Sequence, residues 1–377
     1  MGKKIAVFGA QKNLEQFVRR AVALGYELYG FASGDDNPCV KYYKEFYNIS
    51  FTEIDKIISI CKEKGIQGVT SFSLESALPY VIKVSQALGT TSNSLHHSEL
   101  INDKYVMRQQ MQKFGVNIPK YIETDAYEHL SDADLKDMEY PVIVKPIDGG
   151  GSRGVTKVTK EEDLASAIEY AKQYSRKKVV IVEQFISGRE FSVEYISHKG
   201  YHYFLTITDK VTEPEHFIEI EHHQPADIPF AVAQKIREQV EKTLNALEIT
   251  DSPSHTEVML HSDGEIYVIE CGPRMGGDNI QASLVRLSTG YDLVAGALEL
   301  CSNNFQVPVF NNQKYAGIYF ILPGTEYVAD WLQNHKDDSK VVEWEYKGYI
   351  SNIVQNNGER DGYFIYQSDK KITINYR

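Results

Sequence analysis

The first hundred residues alternate short apolar runs with amphipathic stretches, and this alternation restricts the fold more than any other feature. Lys4–Phe8 reads as a buried strand ending in Gly9 and Ala10, Leu14–Leu24 as a helix closed by Gly25, and Glu27–Phe31 as the next strand. Ile54–Lys64 reads as a helix stopped by Gly65, Gly68–Phe72 as a strand, and Ala77–Leu88 as a helix closed by Gly89. Strands separated by helices in this way build a parallel sheet covered on both faces. Ligands of such sheets gather at the carboxyl ends of the strands, here near Gly9, Ala10 and Ser71–Glu75. No G-x-G-x-x-G is present, which argues against a dinucleotide site.

Beyond residue 100 the pattern changes. Asn102–Phe114 reads as a helix, Val142–Val144 and Val179–Val182 as strands, and Leu164–Tyr174 as a helix. From Phe191 onward the character is mostly antiparallel, with strands at Phe191–Ile196 and Tyr203–Thr208 and helices near 230–247 and 290–302. Short strands from about Asn311 end in an expected final pair, Tyr363–Tyr366 and Ile372–Asn375. A chain of 377 residues with two to four units can bury large cores. Its 40 basic against 52 acidic side chains give a net charge of −12, which argues against nucleic-acid or membrane-surface partners. Any anionic substrate then needs a local basic pocket. The four cysteines form no C-x-x-C and read as reduced thiols of a cytoplasmic protein. Ile5–Phe8 is too short for a signal or membrane segment.

Thr256–Arg274 carries the clearest chemistry. Asp263-Gly264 signals a tight hairpin turn, and Glu257 and Glu270 are equidistant from it. Directly opposed residues share a sheet face about 5 Å apart, where two carboxylates repel by about 3 kcal/mol at an effective dielectric near 20. A divalent cation with a taste for hard oxygen, Mg²⁺ or Mn²⁺, is the simplest offset. A solvated glutamate pair is the bland alternative. Apolar Val258, Met259, Leu260, Tyr267, Val268 and Ile269 argue that the hairpin is mostly buried instead. Cys271 falls on the face opposite Glu270 and reads as a small buried hydrophobe.

Three other stretches bear on function. Pro141–Val155 places Lys145 at a strand end before the glycines 149–151, with Ser152 and Arg153 following. Backbone N–H groups of such a loop can wrap phosphate oxygens, although a glycine run alone is commonly a hairpin tip. Lys104 opens a helix, and Glu183-Gln184-Phe185-Ile186 ends a strand before Glu190. Residues 219–225 read as a polar turn, with His223 at the surface and His222 either there or orienting a substrate. Gly276 and Gly277 permit close approach of a substrate.

In that order these stretches resemble the ATP-grasp superfamily over nearly the whole chain. The residues from Ile269 to Asp278 are most similar to the branch of biotin carboxylase, carbamoyl-phosphate synthase and the L-amino-acid ligases. The resemblance implies a parallel α/β (pre-ATP-grasp) domain at 1–100 and a small lobe with a glycine-rich lid at 101–186. It further implies a large lobe with the metal hairpin at 187–310 and a C-terminal β-rich module at 311–377. It assigns ATP to Lys104, Lys145, Ser152, Glu183, Gln184, Phe185, Ile186, Glu190 and Lys210, and two Mg²⁺ (or Mn²⁺) ions to Glu257 and Glu270. Arg274 would steady the reacting carboxyl phosphate, and His222, Gly276 and Gly277 would face substrate. Gly272 stands where many relatives have a metal-ligating asparagine.

The activity implied is an ATP-dependent carboxylate–amine ligase that forms an amide or peptide bond through an acyl phosphate. Its partners are a small carboxylate and an amine, with a homodimer as one compatible assembly. A bicarbonate-activating or carbamoyl-phosphate-type enzyme is the rival within the same site. A catalytically weak ATP-binding regulatory protein is the rival outside it, motivated by Gly272.

Overall fold

The computed structural model describes residues 2–34, 37–149, 153–213, 218–354 and 356–374. Its first unit runs β1 (Lys4–Phe8), α1 (Glu15–Ala23), β2 (Glu27–Ala32), β3 (Glu45–Asn48), α2 (Ile54–Lys64), β4 (Gly68–Thr70) and α3 (Leu78–Leu88). The four strands form a parallel sheet in the order β3-β2-β1-β4. β3, whose apolar positions are half-buried at the sheet edge, carries too little periodicity to read from sequence. The unit is anchored by α1, whose Phe17, Val18 and Ala21 are fully buried in one core with Val294, Leu298 and other residues from further along the chain. A large apolar side chain contributes about 2 kcal/mol when buried. The half-exposed ion pair of Arg20 with Asp292 (2.7 Å) contributes at most about 1 kcal/mol beside it.

α4 (Leu95–Ile101) and α5 (Lys104–Lys113) lead into a second, antiparallel sheet. It comprises β5 (Tyr121–Thr124), α6 (Asp132–Asp137), β6 (Val142–Pro146), β7 (Thr156–Val158), α7 (Leu164–Tyr174) and β8 (Val180–Gln184), with strand order β5-β8-β6-β7. The glycine-rich loop joins β6 to β7. α7 buries Leu164, Ala167, Ile168 and Ala171 against Val142, Val144 and Val182, so the strands carrying Lys145 and Glu183 have a rigid floor.

The third sheet has eight antiparallel strands: β9 (Arg189–His198), β10 (Tyr201–Thr212), β11 (Glu219–Gln224), β12 (Ser252–Leu260), β13 (Ile266–Gly272), and three more beyond. α8 (Phe230–Ala246), α9 (Val285–Thr289) and α10 (Leu293–Cys301) are interspersed. β14 (Tyr315–Ile321), α11 (Glu326–His335), β15 (Val341–Tyr346) and β16 (Gly362–Ser368) complete the chain, in sheet order β13-β12-β9-β10-β11-β14-β16-β15. The last three strands therefore extend the sheet that holds the glutamate hairpin. Two expectations change here. Residues 219–224 are a central strand, because their backbone is taken by β10 on one side and β14 on the other. Residues 372–374 form no strand, since β16 already has β14 and β15 as neighbours. Asn375 lies outside the described residues. No helix among the described residues is long and apolar enough to cross a membrane.

Candidate active site

Glu257 and Glu270 face each other across β12 and β13, but by a longer route than a symmetric turn. The hairpin closes through a three-residue loop, with His261 N–H on Glu265 O at 2.9 Å and Gly264 at φ +85°. That loop sets Val258 opposite Val268, one position out of register. A β-bulge at Ile269 restores the pairing of Glu257 with Glu270. Two one-residue offsets cancel. The bulge is pinned by Arg108, which donates to the carbonyls of Val268 (3.0 Å) and Ile269 (2.6 Å).

Cations meet each glutamate. Lys104, the first residue of α5 after its Asp103 cap, reaches Glu270 at 2.9 Å and donates to Gly149 O at 2.9 Å. Lys210 Nζ lies 2.9 Å from Glu257, 2.7 Å from Glu190 and 2.9 Å from Glu219. Three carboxylates thus share one ammonium. Burial alone would lower both lysines, yet the surrounding glutamates hold each above its ordinary value. Glu270 is held low chiefly by Lys104, with burial and Glu257 opposing. The side chains of Glu257 and Glu270 keep 28% and 34% exposure, so both remain partly open to solvent.

Behind them sits an ion triad. Glu183 on β8 takes Arg108 at 2.7 and 3.1 Å and Lys145 Nζ at 2.6 Å. Burial pushes its carboxyl up, but the two cations hold it down to about 2. Lys145, buried and sharing that anion with Arg108, is lowered. Glu183 is only 3% exposed, and its carboxylate is committed to this triad rather than open to an adenine. The amides of Gln184 and Phe185 are taken by Lys120 O (2.9 Å) and Pro141 O (3.1 Å), and Lys157 Nζ sits 3.8 Å over the Phe185 ring. Ile186 is buried. Glu190 points to Lys210. Ser152 lies outside the described residues.

Arg274 folds back over Gly272, where a Cβ would come within 3.1 Å of its side chain, and contacts Glu75 at 3.4 Å. The missing asparagine thus leaves room that the guanidinium fills. Gly276 differs from its expected role: a Cβ there would lie 2.5 Å from His255 Nδ1, so the close approach serves His255. Space beside Gly277 is open. His222 is fully buried, and the surface reading of His223 is overturned: it is 1% exposed, bonded to Tyr366 Oη and Glu221 at 2.9 Å each. Central strand position explains both.

Arg108 and the Glu194–His255 pair were not among the predicted residues. Arg108 lies one helical turn after Lys104, a spacing that puts both on one face, and this was its only signal. Glu194, fully buried, holds His255 at 3.0 Å, and His255 Nε2 stands 3.6 Å from Glu257. Burial opposes its charge, but Glu194 raises the His255 imidazole to about 9. No spacing in the sequence joins residues so far apart.

Residues 138–282, which hold the described site apart from Glu75, Lys104 and Arg108, match the family model of the ATP-grasp domain. The chain carries an ATP-grasp domain. Among curated proteins, alanine–anticapsin ligase of Bacillus subtilis (strain 168) is 26% identical over 249 residues, 60% of this chain and 52% of that protein. D-alanine–D-alanine ligase of Parabacteroides distasonis is 35% identical over 121 residues, 32% of this chain and 36% of that protein. The chain spans about half the length of the first curated relatives it matches. The L-amino acid ligase from Bacillus licheniformis superposes with a TM-score of 0.80 at 24% identity, covering 98% of this chain and 94% of that one. An ADP complex of N5-carboxyaminoimidazole ribonucleotide synthetase superposes at 0.78 with 18% identity, covering 98% and 93%. The fold of these two structures therefore extends over the flanking units that the family model does not reach.

Proposed function

We propose that this ATP-grasp protein is an ATP-dependent carboxylate–amine ligase acting on amino acids or amino-acid-like small molecules. One observation carries the reading: Glu257 and Glu270 face each other, partly open, amid the charges of Lys104, Lys145, Lys210 and Arg274. Two hard carboxylates beside several cations suit a metal-bound polyphosphate better than either partner alone. Glu257 and Glu270 would hold the Mg²⁺ ions, which when bound neutralise charge on phosphoryl oxygens. Lys104 and Lys145 would contact the phosphates of ATP, with the backbone of Glu183–Ile186 beside the base and Glu190 near the ribose. Lys210, locked by three carboxylates, would instead fix Glu190 and Glu257 in place.

A substrate carboxylate would take the terminal phosphoryl group, with Arg274 beside the developing charge. An amine then displaces phosphate to form the amide, and the loop 148–154 would exclude water from the acyl phosphate. The acceptor pocket would lie against Gly277. The four buried, unpaired cysteines suit a reducing cytoplasm. Incubating the protein with Mg-ATP and pools of amino acids, while following ADP and phosphate, tests the reading. ADP release that needs a carboxylate and an amine together is expected. Release that depends strictly on bicarbonate would move the chain to the carboxylase side of the fold, and nucleotide binding without turnover would sink the ligase assignment.

A further inference from the structure

The sheet face that carries Glu257 and Glu270 has a second row beside them. β9 pairs with β12, and β12 with β13, so that Ser192, Glu257 and Glu270 stand in one row and Glu194, His255 and Gly272 in the next. Directly opposed residues project to one face, and so do residues two apart on a strand. His255 therefore lies between Glu194 and the bare Gly272, beside Glu257 on the same face of β12.

The second row is built around a charge that stability alone does not explain. Glu194 is fully buried, and its carboxylate accepts from Ser192 Oγ at 2.8 Å, from His255 Nδ1 at 3.0 Å and from Gln281 Nε2. Gln281 Nε2 also donates to the carbonyl of Ser254 at 2.9 Å, which ties the carboxylate to β12 a second time. Burying a carboxylate is costly even when it is paired, and apolar side chains in place of a buried ion pair are commonly no less stable. What the pair gains is orientation. With Nδ1–H given to Glu194, the ring is fixed and Nε2 stands 3.6 Å from Glu257 Oε1. Lys210 donates to that same oxygen at 2.9 Å. Both nitrogens approach Oε1, which leaves Oε2 as the oxygen for a ligand. The loop after Arg274 rests on the same ring, since a Cβ on Gly276 would come within 2.5 Å of His255 Nδ1.

We propose that His255, oriented by Glu194, is a positioning residue that sets the Glu257 carboxylate for a divalent metal ion. The inference rests on the reading of Glu257 and Glu270 as metal ligands and deepens it. Neither Glu194 nor His255 has to touch nucleotide or substrate in this role. Outer partners that hold a ligating carboxylate govern metal affinity, and losing one costs about 10–100-fold.

The test needs no turnover: Mn²⁺ binding to the full chain in the presence of ADP, followed by the electron paramagnetic resonance of free Mn²⁺. His255→Asn keeps a donor at the place of Nδ1, so Glu194 stays satisfied, and deletes the nitrogen that approaches Glu257. Its Mn²⁺ affinity is expected to fall about 10–100-fold, while the thermal midpoint and metal-free ADP affinity stay near wild type. Glu194→Gln is expected to lower Mn²⁺ affinity in the same direction, and it decides the matter if His255→Asn misfolds. Wild-type Mn²⁺ affinity in the deciding variant overturns the positioning role. An equal loss of metal-free ADP affinity overturns it too, because that marks a general distortion. No Mn²⁺ uptake by the wild type, or uptake that survives Glu270→Gln, would instead sink the reading of the glutamate pair and this inference with it.

Discussion

Glu183 shows how one side chain can be read correctly in place and differently in role. Its carboxylate is the buried counter-ion of Arg108 and Lys145. Removing one member of such a group leaves the others uncompensated, so Glu183→Gln should cost about 3–5 kcal/mol, measured by urea unfolding at neutral pH; a loss below about 1 kcal/mol would make the triad ornamental. The carboxyl is depressed from 4.5 to about 2. Its contribution is therefore complete above 4.5 and is lost as pH falls through about 2, roughly 3 kcal/mol in all. Unfolding free energy measured between pH 5 and pH 2 should decline accordingly in the wild type and decline less in Glu183→Gln. Glu270→Gln probes the cleft itself: ADP formation should drop at least about 100-fold while the unfolding midpoint stays near wild type. Retained turnover would end the case for a metal-bridging glutamate pair.

At the level of elements, the hairpin of β12 and β13 places the glutamates through a loop and a bulge that offset one another. Gly264 has open space around the Cβ position, so Gly264→Ala tests its left-handed backbone alone. A cost of about 1–2 kcal/mol in urea unfolding is expected; no cost would mean the loop adopts another turn readily. The facing of Glu257 and Glu270 was legible because the turn dipeptide and the two acids sit symmetrically in sequence. The bulge was not, because nothing in Val268-Ile269-Glu270 distinguishes a regular strand from one with an extra residue. β11 was misread for a related reason: its residues are polar, and its burial comes from the strands on either side and from α9 beyond.

Over the whole molecule, the site draws its charged groups from the second and third sheets, from α5 and from the turn that follows β4 in the first unit. Glu75 of the first unit meets Arg274, Lys104 begins α5, Lys145 and Glu183 come from the second sheet, and Lys210, Glu257 and Glu270 come from the third. A ligand that gathers these groups should stabilise them together. Mg-ATP at a hundredfold excess over its Kd is expected to add about 2.7 kcal/mol, visible as a raised thermal midpoint. Lys145→Ala should weaken ATP binding and shrink that shift. A midpoint indifferent to nucleotide would remove ATP from the cleft.

By itself the sequence determined the parallel first sheet, the order of the lysines, the glycine loop and the facing glutamates. These rest on periodicity and on turn chemistry, which are local. Only the tertiary structure decided the partners: Arg108 under Glu183, three carboxylates on Lys210, Glu194 behind His255, and Glu219 turned toward His222. Buried charges are stable only when paired, and most of the pairs here join residues tens of positions apart. The chain states which charges it has; the packing of three sheets decides which of them must share a site.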